Sequence, residues 1–238
     1  VVKNKLNYQS ITFTNEGYIK YTENLLESIK HNQVNLNLKI FTLDNKSFDH
    51  FNKIHNQVEL LDKNNEFGSF MDQKSEKFGK LMIKKFECIY KSLLDNENIL
   101  YIDGDIVIKK NFINQLLERM NKNKLDFIFQ NDKNPKKPNL INLCAGFMLI
   151  NSNKKTIKFF NPDGLPIEKI ANYRTHDQTY INKNRGKFKY EVLPLNRFPN
   201  GPYYYENSKS IDPSIIHFNF VLGDEKIALM KKYSEWYL

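Results

Sequence analysis

Cysteine is nearly missing from these 238 residues, Cys88 and Cys144 being the only two. That excludes a disulfide-stapled scaffold and leads to the expectation of a reducing, cytoplasmic setting. Long hydrophobic runs are missing too. No stretch approaches the ~20 apolar residues of a membrane span, and the first residues lack the apolar core of a signal peptide, so no transmembrane segment is expected. Arginine is scarce: Arg119, Arg174, Arg185 and Arg197 are four of 36 basic residues, and lysine carries most of the formal charge of +9. Lysines such as Lys122, Lys124, Lys136 and Lys137 sit among loop residues without a nucleic-acid motif. No nucleic-acid partner is therefore expected, although a basic cleft suits a small anion such as a nucleotide diphosphate. Neither an internal repeat nor a linker divides the chain, so residues 1–238 are expected to form a single domain with a sizeable core.

What is present is an alternation of strand and helix patterns, the mark of an α/β fold. Ser10–Thr14 reads as a strand, followed by a helix carrying Tyr21, Leu25, Leu26 and Ile29 on one face. Leu38–Leu43 is a second strand ending in Asp44, with a short helix near 47–55 and a strand at Val58–Leu61. Residues 62–74 read as a loop. From Glu76 to Leu94 the residues Leu81, Phe86, Ile89, Tyr90 and Leu93 recur at helical spacing. A helix near Phe112–Met120 and a strand at Leu125–Gln130 precede a loop at Pro135–Pro138. Leu143–Asn151 is a strongly apolar strand that contains Gly146, Asn161–Gly164 a turn, and Asp177 the start of a helix. Phe198–Pro202 should break any regular element, Ser214–Phe218 is a late strand, and about the last fifteen residues read as helical.

The chemistry concentrates after Ile99-Leu100-Tyr101-Ile102, a short apolar run that reads as a strand buried on both faces. Asp103-Gly104-Asp105 closes it, at the carboxyl end where ligands of open α/β sheets collect. Two carboxylates at i, i+2 share one side of an extended chain, and their repulsion calls for a cation. A hard divalent ion, Mn2+ or Mg2+, answers that need and leaves positions open for phosphate oxygens. The pair is equally readable as the polar end of a strand in a solvated turn.

Four later stretches follow in order: Cys144-Ala145-Gly146-Phe147, His176-Asp177-Gln178, Phe198-Pro199-Asn200-Gly201, and His217-Phe218-Asn219 with Gly223 and Lys226. Together with Asp103-Gly104-Asp105 this ordered set resembles the nucleotide-diphospho-sugar transferases, over nearly the whole chain from Thr14-Asn15 to Trp236. The likeness is closer to the group of plant cell-wall xylosyltransferases, and wider to glycosyltransferase family 8, which includes glycogenin. It implies a GT-A fold, Rossmann-like, with a mixed central sheet flanked by helices. It further implies that Asp103, Asp105 and His217 hold Mn2+ or Mg2+, with Asp103 also near the donor, a nucleotide diphosphate sugar of the UDP class. Lys226 would reach the donor phosphates, and Gly223 would admit close backbone approach. Thr14 and Asn15, and Asp44 less directly, would line the nucleoside pocket. Lys84 would be the basic residue touching the donor, with Lys80 and Lys85 competing for that place. Asp177 and Gln178 would stand beside the anomeric carbon as catalytic residues, while Gly146 and Asn219 would lie along the donor. Cys144 departs from an asparagine usual in family 8, which removes an amide from the sugar site, and Gly104 stands where a larger residue is common, which would enlarge the space over the metal.

The resemblance implies transfer of a hexose or pentose to an acceptor hydroxyl, on a glycan, protein or small molecule, with retention at the anomeric carbon. Two rivals draw on the same residues. An apolar strand followed by Asp-x-Asp also opens haloacid-dehalogenase phosphatases, in which Asp103 would be the nucleophile and Asp105 the acid/base. A non-catalytic basic module binding nucleic acid or an acidic glycan is the other.

Overall fold

The computed structural model describes residues 7–62, 66–67, 76–133, 141–170 and 176–238. Most of the expected 62–74 loop, the whole Pro135–Pro138 loop, and Arg174 fall outside them. In chain order the elements are β1 (Tyr8–Thr14), α1 (Ile19–His31), β2 (Leu38–Thr42), α2 (Asn45–Ile54), β3 (Val58–Leu60), α3 (Glu76–Asp95), β4 (Asn98–Ile102), β5 (Ile106–Ile108) and α4 (Ile113–Asn123). They continue as β6 (Phe127–Asn131), β7 (Leu143–Asn151), α5 (Lys154–Phe160), α6 (Ile167–Ile170), α7 (Asp177–Asn184), β8 (Tyr190–Val192), α8 (Gly201–Asn207), β9 (Ile215–His217) and α9 (Gly223–Lys232). No helix among the described residues is long and apolar enough to cross a membrane.

Strand β4 explains the layering. All five of its residues are buried, and alternate side chains face opposite layers. Ile99 and Tyr101 pack with Phe86, Ile89 and Leu93 of α3, whereas Leu100 and Ile102 pack with Leu25, Leu26 and Ile29 of α1 and with Leu116, Leu117 and Met120 of α4. A strand covered by helices on both faces is apolar along most of its length, hence the continuous run Ile99–Ile102 that follows Asn98. Each such large side chain contributes roughly 1.5–3 kcal/mol through its burial.

The main sheet has seven strands in the order β3-β2-β1-β4-β7-β6-β8. Parallel pairing unites β3, β2, β1 and β4, and β7 runs antiparallel to both β4 and β6, so the sheet is mixed. β5 and β9 form a separate antiparallel pair that sets Ile106 opposite His217.

Local signals set several boundaries. Asp44 accepts the Ser47 amide at 2.8 Å and caps α2. Asn153 and Thr156 form a reciprocal capping box that opens α5, a helix beyond those read from the sequence. The expected break at Phe198–Pro202 is overturned in part: Asn200 caps α8 by accepting the Tyr203 amide at 3.1 Å, and Pro202 occupies the first turn, where no amide proton is required.

Candidate active site

The turn after β4 brings the two aspartates together. The Asp103 amide donates to the Gly146 carbonyl at 2.7 Å, continuing the β4–β7 ladder, and the Ile106 amide returns to the Asp103 carbonyl at 3.2 Å. The pair thus lies on a turn instead of the extended chain expected from i, i+2 spacing. Across the β5–β9 pair the Phe218 amide donates to the Asp105 carbonyl at 3.1 Å, and His217 Nε2 stands 3.3 Å from Asp105 Oδ1. One ligand atom each from Asp103, Asp105 and His217 lies within 4.8 Å of the others.

Gly146 makes this convergence sterically allowed. A Cβ there would stand 2.4 Å from Asp103 Oδ2 and 2.6 Å from His217 Cε1. Gly104 has a different reason from the one expected. A Cβ on it would meet Thr22 Oγ1 at 2.5 Å, so the small middle residue seats the turn against α1 while also lining the cavity.

His217 is oriented from behind. The Gln130 amide donates from Nε2 to the Phe198 and Pro199 carbonyls at 3.2 and 2.8 Å, which turns its Oε1 toward His217 Nδ1 at 2.8 Å. Nδ1 must then carry a proton, and Nε2 is the nitrogen directed at the carboxylates. Burial pushes the imidazole toward neutrality, but Cys144 and Asp105 outweigh it and favour the protonated ring, so a cation binding at Nε2 would displace a proton. Two carboxylates and an imidazole form a donor set suited to a divalent cation, and the buried Gln130 amide that holds His217 from behind fits that use.

Two buried lysines balance the acids. Lys226 forms an ion pair with Asp105 Oδ2. Burial alone would raise the Asp105 carboxyl, but the Lys226 ammonium and His217 hold it well below the usual carboxylate range. Lys85 lies 2.7 Å from Asp177 Oδ2, 3.4 Å from Asp103 Oδ1 and 4.5 Å from the centre of the Tyr101 ring. Its burial favours deprotonation, yet Asp103 and Asp177 prevail and keep it charged. The Tyr101 hydroxyl donates to Asp103 Oδ1 at 2.6 Å.

Lys85, Asp103, Asp105, His217 and Lys226 line a cavity of about 500 Å3 that also takes in Thr14, Asn15, Tyr18, Gly146, Asp177, Gln178 and Asn219. Three expected residues stand outside its lining. Lys84 turns away to Glu87 at 2.9 Å, and Lys85 is the lysine that enters. The signal was present: Lys85 lies four residues from both Leu81 and Ile89, on the buried stripe of α3, whereas Lys84 does not. Asp44 is occupied with the Ser47 side chain and the Glu16 amide, at 3.0 and 2.8 Å. Gly223 begins α9 at φ +53°, left-handed backbone that favours glycine, and its carbonyl accepts the Tyr21 hydroxyl at 2.9 Å.

Asp132 lines the cavity although no sequence signal singled it out. It follows β6 as Asp103 follows β4, at the same carboxyl edge of the fold. Gln178 donates to Asp132 Oδ2 at 2.8 Å and accepts the Ala145 amide at 3.0 Å, while Asn219 donates to Asp132 Oδ1 at 2.7 Å. The Gln178 amide is therefore fixed between β7 and Asp132.

A family model described as nucleotide-diphospho-sugar transferase matches residues 34–230. The UDP-galactose:fucoside alpha-3-galactosyltransferase of Dictyostelium discoideum is 24% identical over 290 aligned positions, covering 98% of this chain and 44% of that protein. The chain thus spans less than half the length of that relative. Among solved structures, the galactosyltransferase LgtC, crystallised with donor and acceptor sugar analogs, matches with a TM-score of 0.63 at 14% identity over 96% of this chain and 95% of that one. The glycosyltransferase GlyE of Streptococcus pneumoniae TIGR4 matches with a TM-score of 0.61 at 16% identity, over 99% and 61% respectively. At such identities the structural likeness establishes the fold, the GT-A type.

Proposed function

The chain belongs to the nucleotide-diphospho-sugar transferases, and from that premise we propose that it moves a sugar from a nucleotide diphosphate sugar to an acceptor hydroxyl, using a divalent cation held by Asp103, Asp105 and His217. The observation that carries this reading is the convergence of those three ligand atoms within 4.8 Å on one wall of the cavity. Mn2+ or Mg2+ bound there would act as a Lewis acid toward the leaving diphosphate. Lys226 adds a point charge for the same oxygens.

Thr14, Asn15 and Tyr18 form the nucleoside end of the cavity in this reading. Asp177, held by Lys85, is the anion placed to face positive charge developing at the anomeric carbon, and Gln178 orients the sugar from its fixed position beside β7. A UDP-class donor and retention of configuration are supported by the Dictyostelium relative, whose name states a UDP-galactose donor and an alpha product. Residues 1–238 act as one catalytic domain, since both sheets supply site residues.

The two rivals find less support. A phosphatase of the haloacid-dehalogenase type needs a later acidic pair at its metal, whereas His217 and Lys226 surround Asp105. A basic binding module gains nothing from a cavity wall built of Asp103, Asp105, Asp132 and Asp177.

The experiment is to incubate the protein with a panel of nucleotide diphosphate sugars and measure released nucleoside diphosphate with Mn2+ and with EDTA. Release from a donor that requires Mn2+ is expected. No release from any donor, or release unaffected by EDTA, would overturn the proposal.

A further inference from the structure

Lys226 places its ammonium on the carboxylate that the proposed cation needs. Its pair with Asp105 uses Oδ2, while His217 Nε2 faces Oδ1 at 3.3 Å, so both oxygens of Asp105 are engaged. The residues are only 2% and 7% exposed, and the Tyr18 and Tyr21 rings lie 5.9 and 5.3 Å from Nζ. Aromatic side chains, and little water, therefore surround the ammonium.

A divalent ion arriving alone must displace this lysine and leave a buried ammonium without its counter-ion. The other carboxylates of the cavity are already held: Asp103 and Asp177 share Lys85, and Asp132 accepts from Gln178 and Asn219. A diphosphate entering with the ion supplies the missing negative charge. We infer that Lys226 is a built-in surrogate cation on Asp105, so that the site takes its metal only together with a diphosphate.

The inference rests on the metal-site reading above and specifies its ligand: the cation–nucleoside diphosphate pair, not the free ion. Unpairing a buried charge makes free-ion binding weaker by on the order of a hundredfold. Lys226 would then have two successive partners, first Asp105 and then the diphosphate.

Mn2+ titrations followed by electron paramagnetic resonance of the free ion test this on the wild type and on K226M, K226Q and K226R, first without nucleotide and then with UDP. Without nucleotide, K226M is expected to bind Mn2+ about a hundredfold tighter than the wild type, and K226R to remain as weak as the wild type. K226Q keeps a polar group of similar reach and serves as the uncharged variant should K226M fail to fold. UDP is expected to tighten Mn2+ binding by the wild type far more than by the uncharged variants. Equal or weaker binding of free Mn2+ by K226M and K226Q would overturn the surrogate-cation inference while leaving the metal site in place. Absence of Mn2+ binding by all four proteins, with and without UDP, would instead overturn the metal-site reading.

Discussion

Replacing Gly146 by alanine puts one methyl group between two proposed metal ligands. The new Cβ would lie 2.4 Å from Asp103 Oδ2 and 2.6 Å from His217 Cε1, so Asp103 must retreat by about 1 Å to reach ordinary contact near 3.4 Å. Neither neighbour moves freely. Asp103 is held through Oδ1 by Tyr101 at 2.6 Å and Lys85 at 3.4 Å, and His217 is held through Nδ1 by Gln130 at 2.8 Å. Strand β7 cannot shift either, being paired with β4 on one side and β6 on the other. Overpacking of this kind costs roughly 1–3 kcal/mol, which in a chain of this size lowers Tm by about 2–12 °C. A displacement of about 1 Å at reacting groups lowers turnover by about a hundredfold. The assays are thermal melting, Mn2+ affinity and Mn2+-dependent release of nucleoside diphosphate from the donor. G146A with wild-type melting, affinity and turnover would refute the convergence of Asp103 and His217 across this glycine.

Three further substitutions probe the surrounding contacts. D105N removes the negative charge that pairs with Lys226, so it should abolish Mn2+-dependent release and, by leaving a buried ammonium unpaired, lower the chemical-denaturation free energy by about 3–5 kcal/mol; unchanged activity would sink the assignment. K85M should lose turnover because Asp177 and Asp103 lose their shared cation, whereas K84M removes only a surface pair with Glu87 and should change stability by less than about 1 kcal/mol; equal kinetic effects from the two would show that the α3 face has been misassigned. Q130L leaves His217 Nδ1 without its orienting acceptor and should weaken Mn2+ binding in the presence of UDP by about 10–100-fold by calorimetry, with wild-type affinity as the contrary result.

The sequence made some parts of this fold readable for identifiable reasons. β4 was legible because helices cover both of its faces, which forces an uninterrupted apolar run ending at the acidic pair. The stripe of α3 was legible as well, and following it one residue further would have selected Lys85 over Lys84, since a single position turns a helix by about 100°. β5 has only three residues, too few for a periodic signal, yet it carries Asp105 toward His217. Asp132 and Gln130 matter through contacts with Asn219 and His217, each pair 87 residues apart, and no local pattern encodes such contacts. At Phe198–Pro202 the prolines suggested a break, but a proline in a first helical turn is compatible with the helix that Asn200 caps.

Thermal denaturation with Mn2+ alone, with each of a panel of nucleoside diphosphates alone, and with both together tests the central claim most directly, because a ligand of the folded state stabilises it by an amount that grows with the logarithm of its affinity. The account predicts that one nucleoside diphosphate with Mn2+ raises Tm by more than the two separate shifts combined, and that D105N abolishes this excess. A Tm unchanged by every nucleoside diphosphate in the presence of Mn2+ would contradict it.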